Sequence, residues 1–94
     1  MDDTKVFAAL SEPTRRVLFE RILEAPRSVG ELVRTVAVTQ PAVSQHLKVL
    51  RAAGLVTVER RGAQRIYRVR REGLEGPATW FDECLAAIGP KATA

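Results

Sequence analysis

Gln40, Ser44, Gln45, Lys48 and Arg51 recur at spacings that place them on one face of a single helix, with Val43, Leu47 and Leu50 on the opposite stripe. Glutamine and serine carry the donors and acceptors that meet the edges of nucleobases, and lysine and arginine carry charge for phosphates. The same pattern also describes an amphipathic helix with a solvated face, so the face alone leaves two readings open. Acid–base or nucleophilic chemistry finds no footing. The chain has one histidine, His46, and one cysteine, Cys84, and no glycine-rich phosphate loop. Ser44 and His46 stand two residues apart, a spacing at which helical side chains diverge.

The elements that must position this face can be read around it. Thr39 caps a helix over about 40–53, Pro41 fits its first turn, and Gly54 suits the left-handed residue just beyond its end. Upstream, Ser28 and Glu31 have capping-box spacing and open a short helix from Val29 to about Val36. The break at residues 37–39 then makes a helix–turn–helix pair. Two earlier helices are expected, one over about Thr4–Leu10 and one ending near Glu24, the second capped by Ser11 or Thr14. Downstream the period changes. Residues 55–61 and 64–70 are rich in Val, Ile, Thr and Tyr and flank Gly62-Ala63, which predicts a two-stranded hairpin within a wing over about 55–70. Gly73, Gly76 and Pro77 predict a break before a last helix over about 78–88, and residues 91–94 are expected to fray.

The 94 residues make one domain, 1–94, with 46% hydrophobic content. The fold class read from this order is mainly α with a small β-hairpin, a winged helix-turn-helix. Charge is distributed unevenly. Residues 13–71 carry a net +9, against −2 before them and −3 after, for a total of +4. A basic centre between acidic ends is the footprint of a polyanion-binding middle. No apolar run reaches the length of a membrane span, Asp2 and Asp3 stand where a basic and then apolar leader would, and a lone cysteine excludes an internal disulfide. The expectation is a cytoplasmic protein with no membrane partner and no cofactor.

The run SVGELVRTVAVTQPAVSQHLKVLRAAGLVTVERRGAQRIYRV resembles the DNA-binding core of ArsR/SmtB-type winged-helix repressors. FAALSEPTRRVLFERIL resembles that family's entry to its second helix, with Ser11-Glu12-Pro13-Thr14-Arg15 in place of its typical opening. The resemblance covers about Phe7 to Val69. It implies a homodimeric transcriptional regulator, usually a repressor, that binds a palindromic operator in double-stranded DNA and leaves it when an effector arrives. Base contacts would then come from Gln40, Ser44, Gln45 and His46. Phosphate or minor-groove contacts would come from Thr39, Lys48, Arg51, Arg60, Arg61, Gln64, Arg65 and Arg16. The first and last helices would pair across a two-fold axis through Val6, Phe7, Leu10, Trp80, Phe81, Cys84, Leu85 and Ile88. Cys84 has two readings there, a structural thiol or an intersubunit redox switch.

The chain departs from the metal-sensing members. The third helix has no cysteine pair, and the last offers Asp82, Glu83 and Cys84 without a histidine, so no metal site is expected. Two other functions fit the same residues: a winged-helix adaptor for an acidic protein, and an architectural protein that binds DNA without regard to sequence.

Overall fold

Residues 3–90 are described by a computed structural model; Met1, Asp2 and residues 91–94, with the expected frayed tail, lie outside them. In chain order the elements are α1 (Asp3–Ser11), α2 (Pro13–Glu24), β1 (Arg27–Ser28), α3 (Val29–Val33), α4 (Gln40–Ala52), β2 (Val56–Arg61), β3 (Gln64–Val69) and α5 (Glu72–Ile88).

Local chemistry explains most of the boundaries. Pro13 takes the first turn of α2, but the cap is Glu12 rather than Ser11 or Thr14: its carboxylate accepts from the Arg15 N–H at 2.8 Å. Ser11 instead donates its hydroxyl back to the Ala8 carbonyl at 2.7 Å, inside α1. The capping box at Ser28 and Glu31 is complete in both directions, at 3.2 and 3.1 Å. Helix α3 stops three residues short of the expected Val36. Thr35 donates both its N–H (3.0 Å) and its hydroxyl (2.8 Å) to the Leu32 carbonyl, which turns the chain out of the helix. Helix α4 ends as expected. Gly54 adopts φ 79°, the Gly54 N–H reaches the Arg51 carbonyl and the Leu55 N–H reaches the Leu50 carbonyl, a Schellman motif whose hydrophobic partners are the buried Leu50 and Leu55.

Two features overturn expectations. Strand β1, only two residues long, pairs antiparallel with β3 (Arg27↔Tyr67, Ser28↔Ile66), so the hairpin is part of a three-stranded sheet ordered β1-β3-β2. The break expected at Gly73-Gly76-Pro77 does not occur, because α5 runs straight through it. Gly73 and Pro77 are both buried and lie one helical turn apart. A Cβ on Gly73 would stand 2.2 Å from the Gly54 carbonyl oxygen, so the helix start docks on the α4–β2 turn through a contact only glycine permits. Packing thereby outweighs the hydrogen bond that Pro77 forgoes.

Val6 and Ala9 of α1, Leu18, Phe19 and Ile22 of α2, Leu32 of α3 and Val43, Leu47 and Leu50 of α4 form the core, closed by Leu55, Val56 and Tyr67 beneath the sheet. In the hairpin, Val56↔Val69 and Val58↔Tyr67 share the face turned toward that core. Ile66 faces the other way and is half-buried opposite Ser28 and Glu59. The radius of gyration is 15.5 Å, against about 12–13 Å for a compact chain of this length. The exposed C-terminal half of α5 is where the fold departs from compactness.

Candidate nucleic-acid interface

The polar face of α4 forms one wall of an open groove of about 980 Å³. Gln40, Ser44, Gln45, Lys48 and Arg51 all line it, and all are exposed. Val43, Leu47 and Leu50 on the opposite stripe have no exposed surface, so burial fixes the helix's rotation and turns the polar face outward. The facing walls are the start of α3, from Ser28 to Glu31 with Arg34 just beyond, and the hairpin tip with Gln64 and Arg65. Thr39 caps α4, its hydroxyl accepting from the Ala42 N–H at 3.3 Å, and leaves the helix's first turn facing the groove.

The hairpin register sorts its arginines. Arg60 stands directly opposite Arg65, on the same face as Val58 and Tyr67, and among the described residues no ion pair is seen for either. Like charges opposed across a ladder repel, and an anion between them relieves that repulsion. The other face holds Arg61 and Arg68, and both meet Glu59, at 3.3 and 3.4 Å. These contacts hold the Glu59 carboxyl below the usual carboxylate range, the Arg61 hydrogen bond and charge contributing most. Arg61 is thus partly neutralised while Arg60 and Arg65 are not.

Of the expected contact residues, Thr39, Arg60 and Arg61 border the groove without lining it, and His46, Arg16 and Val6 lie elsewhere. His46 does not line the groove. It is half-buried on the α2 side of α4, with Nδ1 3.4 Å from the Arg15 guanidinium and 3.9 Å from the Glu12 carboxylate. One helical step off the groove face is enough to turn its ring toward α2. Arg16 donates to the Leu10 and Ser11 carbonyls at 2.9 and 3.4 Å, closing the end of α1. Val6 is 1% exposed and belongs to the core, so it has no surface to offer a second chain. Sequence reasoning missed Arg34. It lies in the basic middle, but its place on the groove follows from where α3 stops.

A second exposed surface is apolar. Phe7 of α1 meets Trp80 and Phe81 of α5 edge-to-face, with ring centroids 5.6 and 5.9 Å apart, and the two α5 rings lie 5.2 Å from one another. All three remain exposed, and Leu85 and Ile88 continue the stripe, Ile88 at 78% exposure. Leu10 and Cys84 are half-buried beside it. No helix among the described residues is long and apolar enough to cross a membrane.

A family profile described as "Helix-turn-helix domain" matches residues 10–59, which span α2, α3, α4 and most of β2. The HTH-type transcriptional regulator Rv2034 of Mycobacterium tuberculosis is 44% identical over 78 residues, 83% of this chain and 73% of that protein. The chain belongs to the ArsR/SmtB family of winged helix-turn-helix transcriptional regulators. The HTH-type transcriptional repressor SmtB of M. tuberculosis is 46% identical over 65 residues, covering 69% of this chain but only 48% of that repressor. Among solved structures, an ArsR-like transcriptional regulator from Rhodococcus sp. RHA1 superposes with a TM-score of 0.70 at 32% identity, over 92% of this chain and 88% of the other. Among the described residues no three His, Cys, Asp or Glu side chains come together.

Proposed function

We propose that this ArsR/SmtB regulator is a homodimeric repressor of a palindromic operator. Helix α4 enters the major groove, with Gln40, Ser44 and Gln45 on base edges and Lys48 and Arg51 on the flanking phosphates. Arg60 and Arg65 at the wing tip take the backbone or the adjacent minor groove. Two copies pair through Phe7, Leu10, Trp80, Phe81, Leu85 and Ile88, which sets the two α4 helices about one duplex turn apart, roughly 34–36 Å. The observation that carries the reading is the groove itself, where α4, the start of α3 with Arg34 just beyond it, and the wing tip meet with their charged side chains exposed.

The test is selection from a random duplex library, followed by anisotropy titration of the winning sequence across salt. The expected result is an inverted-repeat site, with log K falling linearly with log salt and a slope set by the phosphates contacted. Binding indifferent to sequence would overturn the repressor in favour of an architectural protein. No binding to duplex at all would leave the adaptor reading.

A further inference from the structure

The groove does not use Arg15 and His46, and they form the polar contact that joins α1, α2 and α4. The Arg15 Nε donates to the Ala9 carbonyl at 2.7 Å and Nη2 to the Ala8 carbonyl at 3.5 Å, at the end of α1 where carbonyls lack helical partners. Nη1 of the same guanidinium lies 3.4 Å from His46 Nδ1 on α4. A guanidinium only donates, so a hydrogen bond at this contact uses Nδ1 as its acceptor. The Arg15 backbone N–H donates to Glu12, whose carboxylate is 3.9 Å from the same ring nitrogen. Arg16 closes α1 as well, through the Leu10 and Ser11 carbonyls, and among the described residues no hydrogen bond or ion pair runs from it to α4. Closing α1 therefore does not account for the reach of Arg15 to His46. Phe7, adjacent to Ala8, begins the aromatic cluster with α5.

We propose that the Arg15–His46 contact is a positioning joint, holding α4 at a set angle to the end of α1 so that its polar face seats squarely on DNA. This rests on the reading of α4 as the groove-entering helix. His46 acts through Arg15 and does not itself touch a base. Loss of the joint mis-seats the whole helix, so discrimination falls across an entire half-site, whereas a lost base contact relaxes one base pair.

The experiment compares His46→Leu, His46→Asn, Arg15→Lys and the Arg15→Lys/His46→Leu pair with the parent, on the selected operator and on a random duplex. His46→Leu is expected to lower operator affinity about tenfold, within the range of coupling between contacting residues, and to leave random-duplex affinity within about twofold. His46→Asn, whose Oδ1 can accept from Arg15 as Nδ1 does, restores most of the loss. The double variant is no weaker than His46→Leu alone. Equal losses on both duplexes, no rescue by Asn, additive losses, or relaxation confined to one base pair would each overturn the joint. Amide hydrogen exchange of the free protein gives a reading without DNA: His46→Leu should speed exchange both in the last turn of α1 and in α4, and unchanged exchange there overturns the joint. A parent protein that selects no duplex sinks the repressor reading instead, and the exchange result still decides the joint.

Discussion

The molecule exposes two surfaces built on opposite principles. On the α4 and wing side, the protruding side chains are polar or charged and stand on a fully buried apolar stripe. On the α1 and α5 side, aromatic and aliphatic groups protrude although burying any one of them would contribute about 1.5–3 kcal/mol. A charged exterior is stable in water with or without a partner. A contiguous apolar exterior is not, and it marks a surface meant to be covered. The first side therefore suits an encounter that comes and goes, and the second suits a lasting one.

The largest effect should come from charging the apolar side. Leu85→Glu leaves the monomer intact, because Leu85 is already mostly exposed, but is expected to shift sedimentation from dimer to monomer. Operator affinity should fall by about thirtyfold or more, since central interface positions cost about 2 kcal/mol and upward. A variant that stays dimeric would break the contrast between the two surfaces. On the polar side, Gln40→Ala with Ser44→Ala should cost about thirtyfold or more on the operator, at about 1–3 kcal/mol for each well-placed base contact, with little change on random duplex. The docking of α5 on the α4–β2 turn ties the two sides together. Gly73→Ala should lower unfolding stability by about 1–3 kcal/mol in a denaturant titration, because the Gly54 carbonyl occupies the space a methyl needs.

Smaller changes sharpen the contrast within the wing. Arg60→Gln or Arg65→Gln should weaken binding to all duplexes alike and reduce the salt slope by about one each, and Arg61→Gln should do less because Glu59 holds it. The smallest effect is on pH. The Ser28 backbone N–H, then its hydroxyl contact, holds the Glu31 carboxyl below the usual carboxylate range. A lowered folded-state pKa contributes stability above the unfolded value, and that contribution is lost as pH falls through the folded one. Glu31→Gln should therefore lower stability slightly at neutral pH and change little in acid, which flattens the acid side of the stability profile.

The polar side was legible because its signals are local. Capping at Thr39 and Ser28, the alternation in the hairpin and the helical spacing of Val43, Leu47 and Leu50 each depend on a few neighbours in the chain. Val6 and His46 were not legible in the same way. Val6 sits in an apolar pattern that fits core and surface equally, and only the approach of α1 to α2 and α4 places it inside. For His46 the sequence leaves a base contact and local packing equally open, and only the approach of α2 sets its ring beside Arg15.

Sequence alone determined the helix-turn-helix, the wing, the basic middle and which face of α4 is polar, since periodicity and capping act over a turn or two. Tertiary structure decided the rest: that α5 begins at Glu72, that β1 joins the sheet, that Arg34 reaches the groove and that Arg15 meets His46. Each of these depends on contact between segments far apart in the chain. Burial there can outweigh a proline's missing hydrogen bond, and no local pattern records it.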